Sequence, residues 1–183
     1  MSLLNDATLE NATGEVKAIF DEVLEKRGMV PNGLRLWSVS PEALKAQWGN
    51  IKTMFTKSYE EQKLLTIIRY LAANKNDSKY CIGLAGKMLI KNFEFTEESL
   101  LTMLNSPSTA PLDKKHKALL IFAMKSINDS DDINQSDITL LKKIGITEME
   151  MFDIVRTASH MFVVNTLFKT FKVEADVILE SRK

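Results

Sequence analysis

Asn74-Lys75-Asn76-Asp77-Ser78-Lys79-Tyr80-Cys81-Ile82-Gly83-Leu84-Ala85-Gly86-Lys87-Met88-Leu89 contains the only cysteine of the 183-residue chain. The stretch reads as the end of one helix, a short polar break, and the start of another. Asn76, Asp77 and Ser78 are turn and N-cap types, whose side-chain oxygens accept bonds from unpaired amides of a first helical turn. With Asp77 or Ser78 as cap, Cys81 falls in or just after that turn, where the helix dipole favours a thiolate. The spacing predicts this helix over residues 79–91.

Upstream, helical periodicity continues. Thr13 is placed to cap a helix whose Val16, Ile19, Phe20, Val23 and Leu24 share one face, with Gly28 as its C-cap. Met29 to Gly33 reads as a connector, and Leu34, Leu36 and Trp37 as one or two helical turns. Ser40-Pro41-Glu42 combines a cap, a proline at the first helical position and an acid at the positive end of the dipole. The helix it opens turns Leu44, Trp48, Ile51 and Phe55 toward a core. Ser58 and Glu61 have capping-box spacing and open the next helix, through Leu64, Leu65, Ile68 and Leu71 to Ala72 and Ala73.

Downstream, Thr96 caps a short helix containing Leu100, Leu101 and Leu104, and residues 105–111 form a loop with two prolines. Asp113 caps a helix apolar on nearly all sides from Ala118 to Ile127, which suits a bundle interior or a subunit contact. Ser136 begins a helix ending at Gly145. Thr147 and Glu150 form a second capping box, and Ile146 with Met151 has the spacing of a hydrophobic staple. The pattern Phe152, Val155, Ala158, Phe162, Leu167 carries that helix to about Phe171, and a last helix is expected over residues 173–179. No alternating run bounded by hairpin turns occurs. The expectation is an all-α, single-domain helical bundle of about seven to nine helices over residues 1–183, with residues 1–12 as a flexible N-terminal arm.

Composition narrows the function classes. Apolar residues make up 45% and charged residues 26%, ordinary globular values. Lys+Arg and Asp+Glu number 24 each, so no basic excess attracts nucleic acid. No apolar run approaches the roughly 20 residues that span a bilayer. The N-terminal residues lack the pattern of a secretory signal. A single cysteine excludes an intramolecular disulfide and suits a reducing compartment. These features predict a cytoplasmic protein without nucleic-acid or membrane partners.

The chemical candidates are few. Cys81 is placed for activation, but a free cysteine is more often a small buried hydrophobe. At a reference pKa of about 8.5, only a few per cent of it is thiolate at neutral pH. Lys79 and Lys87 could add favourable charge to it, although such lysines usually stand solvated on a helix surface. His116, in a charged first turn, reads as an exposed, inert imidazole. His160 reads as a core or interface histidine, and packing alone decides whether it meets Cys81. Two isolated histidines and one cysteine show no metal-ligand spacing, and no phosphate loop, nucleophile elbow or HExxH pair exists. No metal or cofactor is expected.

The segment Asn76-Asp77-Ser78-Lys79-Tyr80-Cys81-Ile82-Gly83-Leu84-Ala85-Gly86 resembles the motif of the alkylhydroperoxidase D-like/carboxymuconolactone decarboxylase family. That family typically reads Asn-x-Cys-x-Tyr-Cys-x-x-x-His-Gly here, after an apolar helix like residues 64–73. Gly28-Met29-Val30-Pro31-Asn32 followed by Ser40-Pro41-Glu42 resembles its N-terminal region. Residues 152–173, with Asn165 and Phe171-Lys172-Val173, resemble its closing helix. The resemblance covers most of the chain and implies the helical fold of that family. In its peroxidases the second cysteine attacks peroxide, the first resolves the sulfenic acid, and a histidine and a glutamate relay protons. Cys81 matches the attacking cysteine. Ser78 stands for the resolving cysteine, Ala85 for the histidine, and about Thr66 for the glutamate. Serine forms no disulfide and alanine moves no proton, so the two-cysteine cycle is closed to a single chain.

Two readings follow. One is an antioxidant thiol peroxidase acting through Cys81 alone, with a small peroxide as substrate and an external thiol as reductant. The other is a catalytically inactive member with a binding or regulatory role. A different reaction in the same pocket would draw on Tyr80, Arg69 or the weaker candidate His160. The resemblance also implies self-association, as a dimer, trimer or hexamer.

Overall fold

A computed structural model describes residues 2–176. Among them are nine α-helices and three 3-10 turns and no strand, so the all-α expectation holds. The chain divides into two compact units: Met1–Lys57 with Leu167–Lys183, and Ser58–Thr166.

In the first unit, α1 (Gly14–Arg27) follows Thr13, whose side chain makes no capping bond, and ends at Gly28. Gly28 has φ 73°, a left-handed conformation that glycine adopts without steric cost, and its N–H closes the helix on the Leu24 carbonyl at 2.8 Å. Pro31 leads into α2 (Asn32–Arg35), which runs on as a 3-10 turn over Leu36–Val39. Ser40 then caps α3 (Pro41–Phe55), accepting from the Ala43 amide. Phe20, Val23, Leu44 and Trp48 are the centre of this unit's core. The Trp48 indole N–H reaches the Glu22 carboxylate at 2.7 Å, which satisfies the polar edge of a ring that is otherwise fully buried.

Three details of this unit differ from the reading above. Phe55 is half exposed, meeting Trp48 edge-on, while Met54 is buried. Residues 2–12, expected as an arm, make specific contacts: Asp6 pairs with Arg35 at 3.1 Å, and the Ala7 amide donates to Ser38 Oγ at 2.7 Å. Residues 173–176 are not helical; Asp176 is buried and accepts from the Asn32 amide at 2.7 Å. The rest of the expected last helix lies outside the described residues.

The second unit contains α4 (Tyr59–Lys75), α5 (Lys79–Phe93), α6 (Glu97–Asn105), α7 (Lys114–Asn128), α8 (Gln135–Lys143) and α9 (Glu148–Thr170) as far as Thr166. The Ser58–Glu61 capping box opens α4 as expected. A three-residue turn folds α5 back on α4, the most extensive helix pair of the structure. Their packing is close. A Cβ on Gly86 would stand 3.3 Å from the Tyr70 ring, so the absence of a side chain there lets the two helices meet. Leu64, Ile67, Ile68, Leu71, Leu89, Leu100, Leu120 and Ala158 continue the core. On α7, Leu119, Leu120, Phe122 and Ala123 are buried whereas Ile121 is exposed, so one apolar side chain of that helix stands in water.

The apolar face of α9 is turned from the expected one. Phe152 is 69% exposed and Val155 and Phe162 are only partly buried, whereas Met151, Ile154, Met161 and Val164 are buried; Ala158, common to both stripes, is buried as expected. The start of the helix explains this. Thr147 and Glu150 close the capping box, and Ile146 and Met151 are buried in one cluster on either side of it. With Met151 pinned inward, its neighbour Phe152 points away by the 3.6-residue period.

Lys115 of α7 pairs with Glu150 at 2.7 Å. That bond, with the Thr147 amide, lowers the Glu150 pKa from 4.5 to about 2. A carboxyl depressed in the folded state stabilises above its unfolded pKa and loses that contribution as pH falls through the folded value. Glu150→Gln keeps the cap and removes the charge, costing about 1 kcal/mol at neutral pH, or about 2–4 °C in Tm. Thermal unfolding followed by circular dichroism is expected to show that gap closing as pH drops from 4.5 toward 2.

Candidate active site

Cys81 is the third residue of α5, and Ser78 occupies its N-cap position. The turn between α4 and α5 is fixed by backbone bonds: the Asn76 amide to Ala72 O at 3.1 Å, and the Ser78 amide to Ala73 O at 3.0 Å. Asp77 adopts φ 48°, a left-handed conformation that aspartate tolerates better than most residues. An N-cap serine ordinarily accepts from the amide at the second or third helical position. Here that third position is Cys81 itself, and the Ser78 side chain makes no capping bond.

Both side chains are buried, Ser78 at 1% and Cys81 at 6% exposure. The Ser78 hydroxyl favours the charged form of the thiol, and its Oγ makes no hydrogen bond. Burial acts more strongly in the opposite direction and pushes the Cys81 pKa up from its ordinary value. Arg69 of α4 is a third influence, its guanidinium pulling the thiol pKa down. The outcome is a cysteine mostly protonated at neutral pH, with a hydroxyl and a fixed cation at hand. The helix-start position alone does not make it a thiolate.

The other candidates are placed as follows. Ala85, one turn beyond Cys81 on α5, is buried and contributes only a methyl group. Thr66 is 1% exposed, and its hydroxyl donates to its own helix at Gln62 O, 2.7 Å. A hydroxyl is no base at neutral pH, so Thr66 does not supply what a carboxylate would. His160 is half-buried on α9; burial, Arg69 and Arg156 each lower its pKa, so it is neutral near pH 7. Arg69 thus acts on both the thiol and the imidazole, joining α4, α5 and α9 electrostatically. His116 is not the exposed imidazole expected from sequence. It is partly buried, and its Nδ1 bonds the Asp113 carboxylate that caps α7, holding Asp113 below its ordinary pKa. Among the described residues, no three or more His, Cys, Asp or Glu gather to hold a metal ion.

Arg69 was named from sequence only as one of several groups for another reaction, and nothing in its spacing marked it as the charge that acts on the thiol. Asn165 was noted only for the resemblance. It is 1% exposed, its amide donates to Ala72 O at 3.5 Å, and its Oδ1 has no partner. It braces the carbonyl end of α4 at the turn that carries Ser78. Only a buried amide within an apolar helical run hinted at that function.

No family model and no curated protein matches the sequence. Solved structures do match. A peroxidase-related protein from Ralstonia eutropha JMP134, described as an alkylhydroperoxidase AhpD core, superposes with a TM-score of 0.80 at 19% identity, covering 97% of this chain and 94% of that one. The chain has the alkylhydroperoxidase D-like fold. A peroxidase-related protein from Silicibacter sp. TM1040 gives 0.77 at 20% identity, over 99% and 95% of the two chains. The debrominase Bmp8, with one cysteine replaced by alanine and in complex with 2,3,4-tribromopyrrole, gives 0.71 at 12% identity, over 96% and 92%. Of the four positions singled out from sequence, Thr66 lies on α4, Cys81 and Ala85 on α5 and Ser78 at the N-cap of α5, and the two helices pack together.

Replacing Arg69 tests the electrostatic link. Arg69→Gln removes a charge that stabilises the thiolate and repels a proton from His160, so both pKa values are expected to rise. Alkylation of Cys81 at neutral pH should slow, while the His160 ring resonance should titrate at higher pH by NMR. A change in one without the other would show that Arg69 does not couple them.

Proposed function

We propose that this protein is a one-cysteine thiol peroxidase, in which Cys81 reduces a small hydroperoxide and an external thiol restores it. The observation that carries the reading is the pairing of a buried cysteine with Arg69 and Ser78, both of which favour its thiolate. Two peroxidase-related proteins among the structural neighbours support it. The thiolate attacks one peroxide oxygen, the O–O bond breaks, and Cys81 becomes a sulfenic acid while the leaving alkoxide or hydroxide takes a proton from water. A thiol then displaces water from the sulfenic acid to give a mixed disulfide. A second thiol attacks that disulfide, releasing the reductant as its own disulfide and Cys81 as thiol.

Ser78 cannot resolve the sulfenic acid and Ala85 cannot relay a proton, so the cycle depends on an external reductant and runs slowly. The burial that raises the thiol pKa makes the rate climb with pH beyond the ordinary cysteine range. A cytoplasmic location, where thiol reductants are abundant, suits this chemistry. Self-association belongs to the same proposal: Leu140, Met149 and Phe152 present exposed apolar surface on α8 and α9.

A second reading, a non-catalytic binding or regulatory protein, is favoured by Thr66, whose hydroxyl is committed to its own helix, and by the mainly protonated thiol. The debrominase neighbour, whose complex holds a halogenated pyrrole, keeps small aromatic ligands in view for that reading. Hydrogen peroxide consumption with dithiothreitol as reductant separates the two. Wild type is expected to exceed Cys81→Ser by at least about tenfold, with the gap widening as pH rises. Equal background rates at all pH values would leave the non-catalytic reading.

A further inference from the structure

We propose that the Ser78 hydroxyl, standing where a resolving cysteine is lacking, is the hydrogen-bond donor for negative charge at Cys81, first on sulfur and then on the oxygen that peroxide delivers. Three observations place it there. Ser78 and Cys81 are three residues apart across the first turn of the fifteen-residue α5, so their side chains lie on the same face of the helix. Both are more than nine-tenths buried. And Ser78 Oγ, though it occupies the N-cap, has left the Cys81 amide uncapped and holds no hydrogen-bond partner of its own.

A buried hydroxyl without a partner costs free energy unless something else fills its need. Here the group beside it is the thiol, a poor acceptor while protonated. Once ionised, sulfur accepts a charge-assisted bond. Once oxidised, the sulfenic oxygen extends outward from sulfur, and both the Ser78 hydroxyl and the Cys81 amide at the helix N-terminus can donate to it. The same two donors would meet the attacked peroxide oxygen as charge develops there, which is where a fixed donor accelerates a reaction. Its ligand class is a hydroperoxide or the sulfenate made from it. This inference rests on the peroxidase reading for its second step but not for its first.

Three proteins test it: wild type, Ser78→Ala and Ser78→Thr. Iodoacetamide alkylation of Cys81, followed by mass spectrometry across pH, reads the thiolate without peroxide. Ser78→Ala is expected to alkylate about three- to tenfold more slowly at neutral pH, with its profile displaced to higher pH, and Ser78→Thr to restore the rate. A lowered Tm with an unchanged profile would mean Ser78 is only structural and would overturn the proposal. Single-turnover oxidation by hydrogen peroxide reads the oxygen step. The loss in Ser78→Ala should exceed its alkylation loss by about tenfold; a loss no greater than that overturns the second step. Wild type that alkylates with the expected Ser78 dependence but is not oxidised by peroxide would remove the peroxidase reading and leave the thiolate donor standing.

Discussion

The close packing of α5 on α4 is the constraint from which the site follows. Gly86 lets the two helices meet against the Tyr70 ring, and the three-residue turn between them fixes where α5 begins. That pins Ser78 and Cys81 under apolar cover and brings Arg69, on the partner helix, within electrostatic reach of the thiol. The chemistry of Cys81 is therefore a property of helix packing more than of its own position in the helix. A thiol at an exposed helix start would be pushed toward the thiolate by the dipole. The same thiol beneath α4 is pushed the other way by desolvation, and only nearby donors and charge offset that.

Much of the architecture was legible because helix ends are written in short local codes. Ser58 with Glu61, Thr147 with Glu150, Ser40 before Pro41, Asp113 before α7 and Gly28 after α1 each mark a boundary that the structure keeps. Such signals depend on backbone amides within one turn, so these boundaries are set locally. Faces were read less well. The stripe assigned to α9 began one residue late, at Phe152, although the Ile146–Met151 spacing already indicated which side turns inward. In a helix rich in Met, Phe and Val on several sides, periodicity admits more than one face, and the anchor at the N-terminus decides among them.

The candidate site was legible in part for a related reason. Cys81, Ser78, Ala85 and Thr66 sit at fixed spacing along two helices, so a sequence pattern could name them. What it could not supply was direction. Thr66 spends its hydroxyl on Gln62, Ser78 declines the capping bond its residue type suggests, and His116 turns to its own cap rather than to solvent. Arg69 carried no motif, because its importance arises only when α4, α5 and α9 stand together.

Fixed groups beside a cysteine respond to their surroundings differently from a titratable relay. A histidine and a carboxylate would exchange protons near neutral pH and so could give and take within one cycle. Arg69 and Ser78 do neither: a guanidinium keeps its charge, and a hydroxyl donates without ionising. They can stabilise a thiolate or an oxygen on sulfur, but they cannot create the thiolate. The pH of the solution must do that, against the burial that raises the Cys81 pKa. In the proposed peroxidase, an arrangement of this kind holds an oxidised cysteine better than it turns one over, which ties the slow peroxidase and the non-catalytic readings to the same two residues.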